Sequence, residues 1–233
     1  MDPVDVVHAQ ALRHRAFHRS EGRDKDPFDD LCEHFLIETL ADGRLVGCFR
    51  ILDLTDGRQI RQSYSAQFYD LSRLQGFPGR IVEMGRFCVA PELLDADILR
   101  VGWGALTRYV DARQVELLMG CTSFAGVDPG AYEAAFAHLH QCHRAPQAWA
   151  PARRADEVCD FTGLSGANPS TGEALRRMPP LLRTYLAMGG WVSDHAVIDR
   201  HMNTLHVFTG LEINAIPAPR QKALRAIAKA LDS

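Results

Sequence analysis

Several features that define other protein classes are absent from this chain of 233 residues. No apolar run approaches the roughly 20 residues of a membrane-spanning helix. The amino terminus, Met-Asp-Pro-Val-Asp, lacks a basic region followed by an apolar stretch, so we expect no signal peptide. Basic and acidic residues number 26 and 29, a net charge of −3, which argues against nucleic acid as a partner.

Closely spaced cysteine pairs are also missing. The six cysteines lie at positions 32, 48, 88, 121, 142 and 159 without a CxxC motif. A chain of this length can bury a sufficient core without disulfides. We therefore expect reduced thiols and a cytoplasmic protein.

Histidine and cysteine form no clear metal or nucleophile motif. The stretch His138-Leu-His140-Gln-Cys142-His143 has a metal-like composition, but on a helix only His138 and Cys142 share a face. A structural zinc site needs four ligands, so zinc is the minor alternative and we predict no metal. Cys121 is the best-placed candidate nucleophile, but no histidine is marked as its base, which favours a small core thiol.

A phosphate-binding loop is missing as well. Arg100-Val-Gly-Trp-Gly104 is rich in glycine but lies inside the apolar periodicity of a predicted helix. We place the N-cap of that helix at Asp95, and its buried stripe at Ile98, Gly102, Ala105, Leu106 and Tyr109. These backbone N–H groups do not open a helix end toward an anion, so we expect no nucleotide-phosphate cofactor there.

Helices and strands alternate along the rest of the chain, which predicts an α/β (α+β) fold. Residues 5–19 predict an amphipathic helix, and Asp42-Gly43 between two apolar runs predicts a hairpin of strands 34–40 and 45–52. The remaining predicted elements are a short helix near 68–74, strands 80–90, 115–124, 196–200 and 205–213, and helices 131–142, 179–188 and 220–231. Residues 144–178, rich in Pro, Ala and Gly, predict an insertion or mobile flap.

The strand 80–90 carries two charges, Glu83 and Arg86, in an otherwise apolar run. Ionised groups are costly to bury unless they are paired or functional, so a structural ion pair and a catalytic site are both open. Residues 83 and 86 of a regular strand face opposite sides, so we predict a bulge at Gly85 that brings them together. The next strand ends in small polar residues that include Ser123, an arrangement suited to acyl transfer.

Other charged positions are less specific. Arg50 interrupts an apolar strand, and we expect it to meet an acid or a ligand carboxylate. Asp24, Asp26, Asp29 and Asp30 surround Pro27. A solvated loop is the favoured interpretation, and their spacing matches no calcium loop.

Four stretches occur in an order that resembles the acyl-homoserine-lactone synthases, members of the wider acetyltransferase-like (GNAT) fold. They are Leu12-Arg-His-Arg-Ala-Phe17, Asp26-Pro-Phe-Asp29, Gly47-Cys-Phe-Arg-Ile-Leu52 and Glu83-Met-Gly-Arg-Phe87. Downstream, residues 120–129, 179–186 and 190–204 are similar to the bacterial ornithine lipid N-acyltransferases. The resemblance covers roughly residues 9–213. The family usually has a strand before its first helix, which has no counterpart here.

The resemblance implies a single GNAT-like domain over 1–233, with a mixed central β-sheet flanked by helices. It implies an enzyme that moves a (3-hydroxy)acyl chain from acyl carrier protein to the α-amine of an amino acid, with ornithine as the expected acceptor, giving lyso-ornithine lipid. The donor supplies its own 4′-phosphopantetheine, so no separate cofactor is expected. The alternatives are an acyl-homoserine-lactone synthase, the same reaction on glutamine, lysine or glycine, and a non-catalytic module that binds acyl carrier protein.

Roles for individual residues follow from the same resemblance. Glu83 is the candidate base that deprotonates the acceptor ammonium, and Arg86 is the second catalytic candidate. The substrate-binding candidates are Arg13, Arg50, Asp26, Asp29 and Ser123. The arginines would orient the acidic loop, the acyl group or the acceptor carboxylate, and backbone N–H groups of the central strands would stabilise the oxyanion.

Two surfaces are expected to meet partners. The tail helix 220–231 has one apolar and one basic face, so it could lie peripherally on the inner face of the membrane. The alternative is a helix packed on the body of the protein, with its lysines in solvent. The arginine pairs 153–154 and 176–177 are candidates for contact with the acidic carrier protein.

Overall fold

The structure of the protein is a computed structural model that describes residues 2–93, 96–164 and 170–231. Its strands are β1 (Glu33–Glu38), β2 (Leu45–Leu54), β3 (Tyr69–Asp70), β4 (Arg80–Val89), β5 (Val115–Ala125), β6 (Ala152–Arg153), β7 (Val158–Asp160), β8 (Trp191–Val192), β9 (His195–Asp199) and β10 (Thr204–Glu212). Its α-helices are α1 (Pro3–His18), α2 (Ala96–Arg113), α3 (Glu133–Cys142), α4 (Thr171–Arg177), α5 (Pro180–Ala187) and α6 (Ala218–Ala230). Two compact units divide the chain: unit 1 comprises Met1–Asp53, Val82–Val115 and Ala218–Ser233, and unit 2 comprises Leu54–Ile81 and Glu116–Pro217.

The predicted hairpin opens the sheet of unit 1. Strands β1 and β2 pair antiparallel, with Glu38 opposite Leu45 and His34 opposite Arg50, and β4 lies on the other side of β2. Gly43 in the turn has a φ of 67°, a left-handed conformation that glycine adopts without strain. The hairpin prediction is confirmed.

Helix α1 matches the predicted first helix, but its buried face is not purely apolar. The Asp2 side chain caps the helix by accepting a hydrogen bond from the Val4 N–H at 2.9 Å. Gln10 and Arg13 are buried together with apolar neighbours on the same face. A buried arginine needs a partner, and this one finds its partners in the acidic segment that follows the helix.

Helix α2 has most of the predicted buried stripe. Ile98, Gly102, Leu106 and Tyr109 are buried, and Ala105 is half-buried. The predicted N-cap at residue 95 lies outside the described residues.

The tail helix α6 packs with its apolar face on α2. A Cβ added at Gly104 of α2 would lie 2.8 Å from Ile227 and 2.9 Å from Leu231, so only glycine permits this close approach. The exposed face carries Arg225, which pairs with Asp111 at 2.8 Å. Of the two alternatives for the tail helix, the structure shows packing against the body of the protein. Contact with a membrane stays a prediction. Across the described ranges, no helix is both long and apolar enough to cross a membrane.

Unit 2 contains a second group of strands in the order β5-β10-β9-β7, with β8 paired to β10. Its core is built from residues that include Phe124, Phe136, Leu182 and Val207. The segment 144–178, whose residues 165–169 lie outside the described part, contributes β7, which pairs antiparallel with β9. Its role as an insertion or flap stays a prediction.

The connection between β2 and β4 differs from the short helix predicted near 68–74. Tyr69–Asp70 is extended and pairs with β6, and a 3-10 helix, Ser72–Gly76, follows. The Tyr69 hydroxyl donates to the main-chain oxygen of His206 at 2.8 Å, which holds this residue in the extended form. A tertiary contact thus overrides the local helical pattern.

Candidate active site

Strand β4 positions the two charged residues singled out in the sequence. Glu83 is buried, and Arg86 has a φ of 55°, a left-handed conformation that costs a side-chain-bearing residue about 1–3 kcal/mol. This left-handed residue directly follows Gly85, and the bulge predicted at Gly85 stays a prediction. The space beside Gly85 is taken by Arg50, whose Nε would lie 3.7 Å from an added Cβ.

Arg86 is held by a closed ring of alternating charges, here named the charge ring, that lies within unit 1. Its members, in order, are Arg13, Asp29, Arg50, Asp26, Arg86 and Asp24. Asp29 Oδ1 lies 2.8 Å from Arg13 Nη1 and 2.6 Å from Arg50 Nη1. Asp26 connects the next two arginines: its Oδ1 lies 2.7 Å from Arg50 Nη1, and its Oδ2 lies 3.0 Å from Arg86 Nη2. Asp24 closes the ring, with Oδ2 at 3.0 Å from both Arg86 Nε and Arg13 Nε. The two Nε–Asp24 contacts are ion pairs without hydrogen-bond geometry. The three arginines thus orient the acidic segment, one of the roles expected for them.

Local structure prepares the acidic segment for this role. Asp26 caps the short 3-10 helix Pro27–Asp30 by accepting from the Phe28 N–H at 2.9 Å. Asp29 accepts hydrogen bonds from Gln10 at 2.8 Å and from both terminal nitrogens of Arg13 at 2.8 and 2.9 Å. The acidic segment is therefore anchored by its carboxylates, unlike the solvated loop that its composition favours.

The electrostatics of the charge ring favour the ionised forms of Arg13, Asp26, Asp29 and Arg50. Burial alone would raise the pKa of Asp29, but the hydrogen bonds and charge of Arg13, with hydrogen bonds from Gln10 and Arg50, hold it well below its ordinary value. Burial likewise opposes the charged form of Asp26, and the hydrogen bonds and charge of Arg50 lower its pKa. The pKa values of Arg13 and Arg50 are raised, because their aspartate partners outweigh the cost of burial.

The members of the charge ring differ in how much of their side chain is exposed to solvent. The side chains of Arg13 and Asp29 are each 1% exposed, and that of Arg50 is 4% exposed. Arg86 and Asp26 are 13% and 17% exposed. The Arg86–Asp26 pair is therefore the edge of the ring that a ligand can reach.

Glu83 lies near the same group of charges. The pKa of the nearby Cys32 thiol is raised to about 12. Burial is the largest cause, the negative charges of Glu83, Asp26 and Asp29 add to it, and the positive charge of Arg50 opposes it. Cys32 is therefore a neutral thiol at physiological pH. Glu83 as base and Arg86 as its catalytic partner stay predictions.

The remaining sequence candidates lie in unit 2. Ser123 is exposed on β5, opposite His206 of β10, and its contact with substrate stays a prediction. Cys121 is half-buried, and its sulfur lies 3.3 Å from the Ser65 hydroxyl. The rings of His138 and His143 are tilted by 53° to each other, with their centroids 5.5 Å apart.

Two residues of this site, Asp24 in the charge ring and Gln10 beside it, are not marked as site residues by the sequence. Asp24 was noted only as part of an acidic cluster. Gln10 precedes Arg13 by three positions on α1 and therefore shares its face, which is the signal that could have found it. Its side-chain oxygen accepts from Arg23 Nε at 3.0 Å while its amide donates to Asp29.

Comparisons with known proteins agree with this architecture. Residues 6–104 match the acetyltransferase (GNAT) domain family. An L-ornithine Nα-acyltransferase of Rhodobacter capsulatus is 31% identical over 231 residues, which cover 92% of this chain and 88% of the relative. An N-acyl amino acid synthase from uncultured soil microbes is similar in structure, with a TM-score of 0.53 and 10% identity over 99% of this chain and 94% of the other. A CoA-dependent acyl-homoserine lactone synthase, solved with SAM and isopentyl-CoA, has a TM-score of 0.51 and 14% identity over 99% and 83%.

The two structural likenesses bear on the fold alone, because their sequence identity is low. Together with the strands and helices described above, they confirm the predicted fold class, a mixed α/β fold with a central mixed sheet flanked by helices. The predicted domain bounds, 1–233, stay a prediction.

Proposed function

Because the chain belongs to the L-ornithine Nα-acyltransferase family and is an acyltransferase, we propose that it joins a 3-hydroxyacyl chain to the α-amine of ornithine. The donor is an acyl carrier protein and the product is lyso-ornithine lipid. The 4′-phosphopantetheine arrives with the donor, and the protein contributes binding, orientation and proton transfer.

The observation that carries this proposal is the accessible edge of the charge ring. An α-amino acid presents a carboxylate and an ammonium on one carbon, and Arg86 beside Asp26 offers the complementary pair of charges. Arg13 and Arg50 are too buried to meet a ligand and act by fixing Asp26 and Asp29. Among the predicted substrate-binding residues, we therefore assign direct contact with the acceptor to Asp26, together with Arg86.

The proposed reaction is direct attack of the amine on the thioester. The α-ammonium first gives a proton, through a bridging water, to Glu83, which is as buried as Arg50, and becomes nucleophilic. The nitrogen then forms the C–N bond, the C–S bond breaks, and the second proton lost by the nitrogen passes to the leaving sulfur to give the free thiol. Each turnover yields one amide, one thiol and one proton, which Glu83 releases to solvent.

Support for a protein-borne donor comes from the charge of unit 2. Arg154, Arg176 and Arg177 are exposed, while Arg153 is paired with Asp160. An acidic carrier protein would be steered by such exposed arginines, whose contribution falls with added salt. The sequence also lacks a glycine-rich loop that would grip the phosphates of a free nucleotide thioester.

The first experiment is mass spectrometry of the products formed by purified protein. The donor is 3-hydroxyacyl carrier protein, and the acceptors are an equimolar mixture of ornithine, glutamine, lysine, glycine and SAM. Nα-acyl-ornithine is the expected product, and another acyl amino acid would correct the acceptor. An acyl-homoserine lactone would replace the proposal with the synthase alternative. No product with retained carrier binding would favour a non-catalytic module.

A second arm separates the two classes of donor. The same acyl chain is supplied on acyl carrier protein or on CoA, at low and high salt. A large preference for the carrier protein that declines with salt is expected. Equal turnover with acyl-CoA would overturn the proposed donor while leaving the acceptor intact.

The role of Glu83 is tested by Glu83→Gln, which keeps the size of the side chain and removes the basic carboxylate. Loss of a general base is expected to lower kcat by about 10²–10⁴-fold, while affinity for the carrier protein is unchanged. Glu92→Gln, an exposed residue just after the same strand, is the matched control. Wild-type turnover by the Glu83 variant would show that another group removes the proton.

A further inference from the structure

Asp24, like Asp29, contacts two arginines of the charge ring through a single oxygen. Asp24 Oδ2 lies 3.0 Å from Arg13 Nε and 3.0 Å from Arg86 Nε. We propose that Asp24 is a positioning residue for the transfer reaction, which sets the Arg86 guanidinium where it meets the acceptor carboxylate. The inference rests on the proposed function and names a residue that neither the sequence motifs nor the family resemblance marks.

Asp24 is suited to this role because its main chain is fixed independently of Arg86. Its N–H donates to the main-chain oxygen of Gln10 at 3.0 Å, and its own main-chain oxygen accepts from Arg13 Nη2. Both contacts tie the residue to helix α1. Its side chain is 9% exposed, so solvent competes little for the carboxylate. Asp24 therefore connects a rigid helix to a side chain on strand β4.

Arg86 benefits from such a support because its backbone conformation is one that a residue with a side chain rarely adopts. Its backbone is left-handed without being glycine, and arginine has several rotatable bonds that must be ordered. Asp24 binds the Nε side of the guanidinium, while Asp26 holds Nη2 at 3.0 Å. Two carboxylates on one planar group fix both its position and the direction of its plane.

Asp26 alone is a poorer support, because Arg50 already engages it. Arg50 donates to both oxygens of Asp26, each at 2.7 Å. Without the Asp24 carboxylate, the Arg86–Asp26 ion pair would depend on an oxygen that also accepts a hydrogen bond from Arg50. The guanidinium would then move relative to the acceptor, and a misplacement of about 1 Å can cost about 10²-fold in rate.

Charge provides a second, independent consequence. The charge ring balances three arginines with three aspartates, and neutralising Asp24 leaves an excess of one positive charge. Added positive charge favours the ionised form of a nearby carboxylate. The acidic limb of the pH–rate profile, which reports the base, should therefore move to lower pH.

The test compares Asp24→Asn with the wild type in steady-state kinetics. We expect the KM for ornithine to rise about tenfold or more with little change in the KM for the acyl carrier protein donor, the pattern of lost acceptor binding. The acidic limb should shift to lower pH. Asp30→Asn, an exposed residue in the same segment, is the matched control and should leave all three quantities unchanged.

A second variant covers the case in which Asp24→Asn does not fold. Asp24→Glu retains the charge, so it should leave the acidic limb in place, but its carboxylate is displaced by one methylene and should raise the acceptor KM. An unchanged acceptor KM in the folded variant or variants would overturn the positioning role. Absence of wild-type activity with ornithine would refute the proposed function instead, so the two failures are distinct.

Discussion

From the contacts of the charge ring, we expect Asp29→Ala to lower the free energy of unfolding far more than Asp30→Ala does. Asp29 accepts four hydrogen bonds from Gln10, Arg13 and Arg50 at 2.6 to 2.9 Å. At about 1.5–3 kcal/mol for each bond to a charged group, the gross loss would be about 6–12 kcal/mol. Arg13 keeps Asp24 as a partner and Arg50 keeps Asp26.

The net cost is therefore much smaller than the gross loss. Removing one partner of a buried ion pair costs about 3–5 kcal/mol when the other charge is stranded. Here both arginines retain a second carboxylate, which places the expected loss at the lower end, about 3 kcal/mol. For a protein of this size, about 2–4 °C of Tm per kcal/mol gives a decrease of about 6–12 °C.

Urea unfolding at pH 7, followed by circular dichroism, measures this loss. Asp30→Ala is the control, since Asp30 is exposed in the same 3-10 helix and should change stability by less than about 0.5 kcal/mol. A loss below about 1 kcal/mol for Asp29→Ala would refute the reasoning, because it would mean that the buried contacts add nothing beyond those of a surface pair. A cycle with Arg13→Met then isolates the coupling between Arg13 and Asp29.

Two further predictions concern acid and packing. Because the folded-state pKa of Asp26 and Asp29 is lowered, the unfolded chain binds more protons, so their stabilisation is complete above pH of about 4 and is lost as the pH falls below it. Urea midpoints between pH 7 and 3 should decline, and less steeply in Asp29→Ala; equal slopes would contradict this. Gly210→Ala should destabilise by about 1–3 kcal/mol and alter Trp191 fluorescence, because the new Cβ would lie 2.4 Å from that indole. Gly163→Ala, at a site with open space, is the control, and a matching loss there would remove the packing explanation.

Elements whose conformation depends on residues close together in the sequence could be predicted from the sequence. The hairpin follows from Asp42-Gly43, whose turn conformation is encoded in four residues. The bulge expected at Gly85 stays a prediction, but the next residue, Arg86, adopts a left-handed conformation that its residue type does not favour. The side chain of Arg86 pairs with Asp24 and Asp26, which lie far away in the sequence, and a rule about intrinsic preference cannot anticipate such contacts.

The charge ring shows the same limit at the level of the site. Arg50 and Arg86 were recognised because a charge in an apolar strand is costly, which is a local observation. Asp24 carries no such signal, since an aspartate in a polar stretch is usually solvated. Its importance appears only when the acidic segment is brought between helix α1 and strand β4.

The tail helix shows why an amphipathic pattern alone does not identify a surface. Its apolar stripe and basic face suit both an anionic membrane and a neighbouring helix, and the sequence of the helix is the same in either case. Packing on α2 is permitted by Gly104, more than a hundred positions earlier in the chain. This residue lacks the side chain that would hold Ile227 and Leu231 away from α2. Since the apolar face is thereby covered within unit 1, a membrane contact would have to use the exposed basic face. Such a contact would be electrostatic, and its strength should fall steeply with added salt.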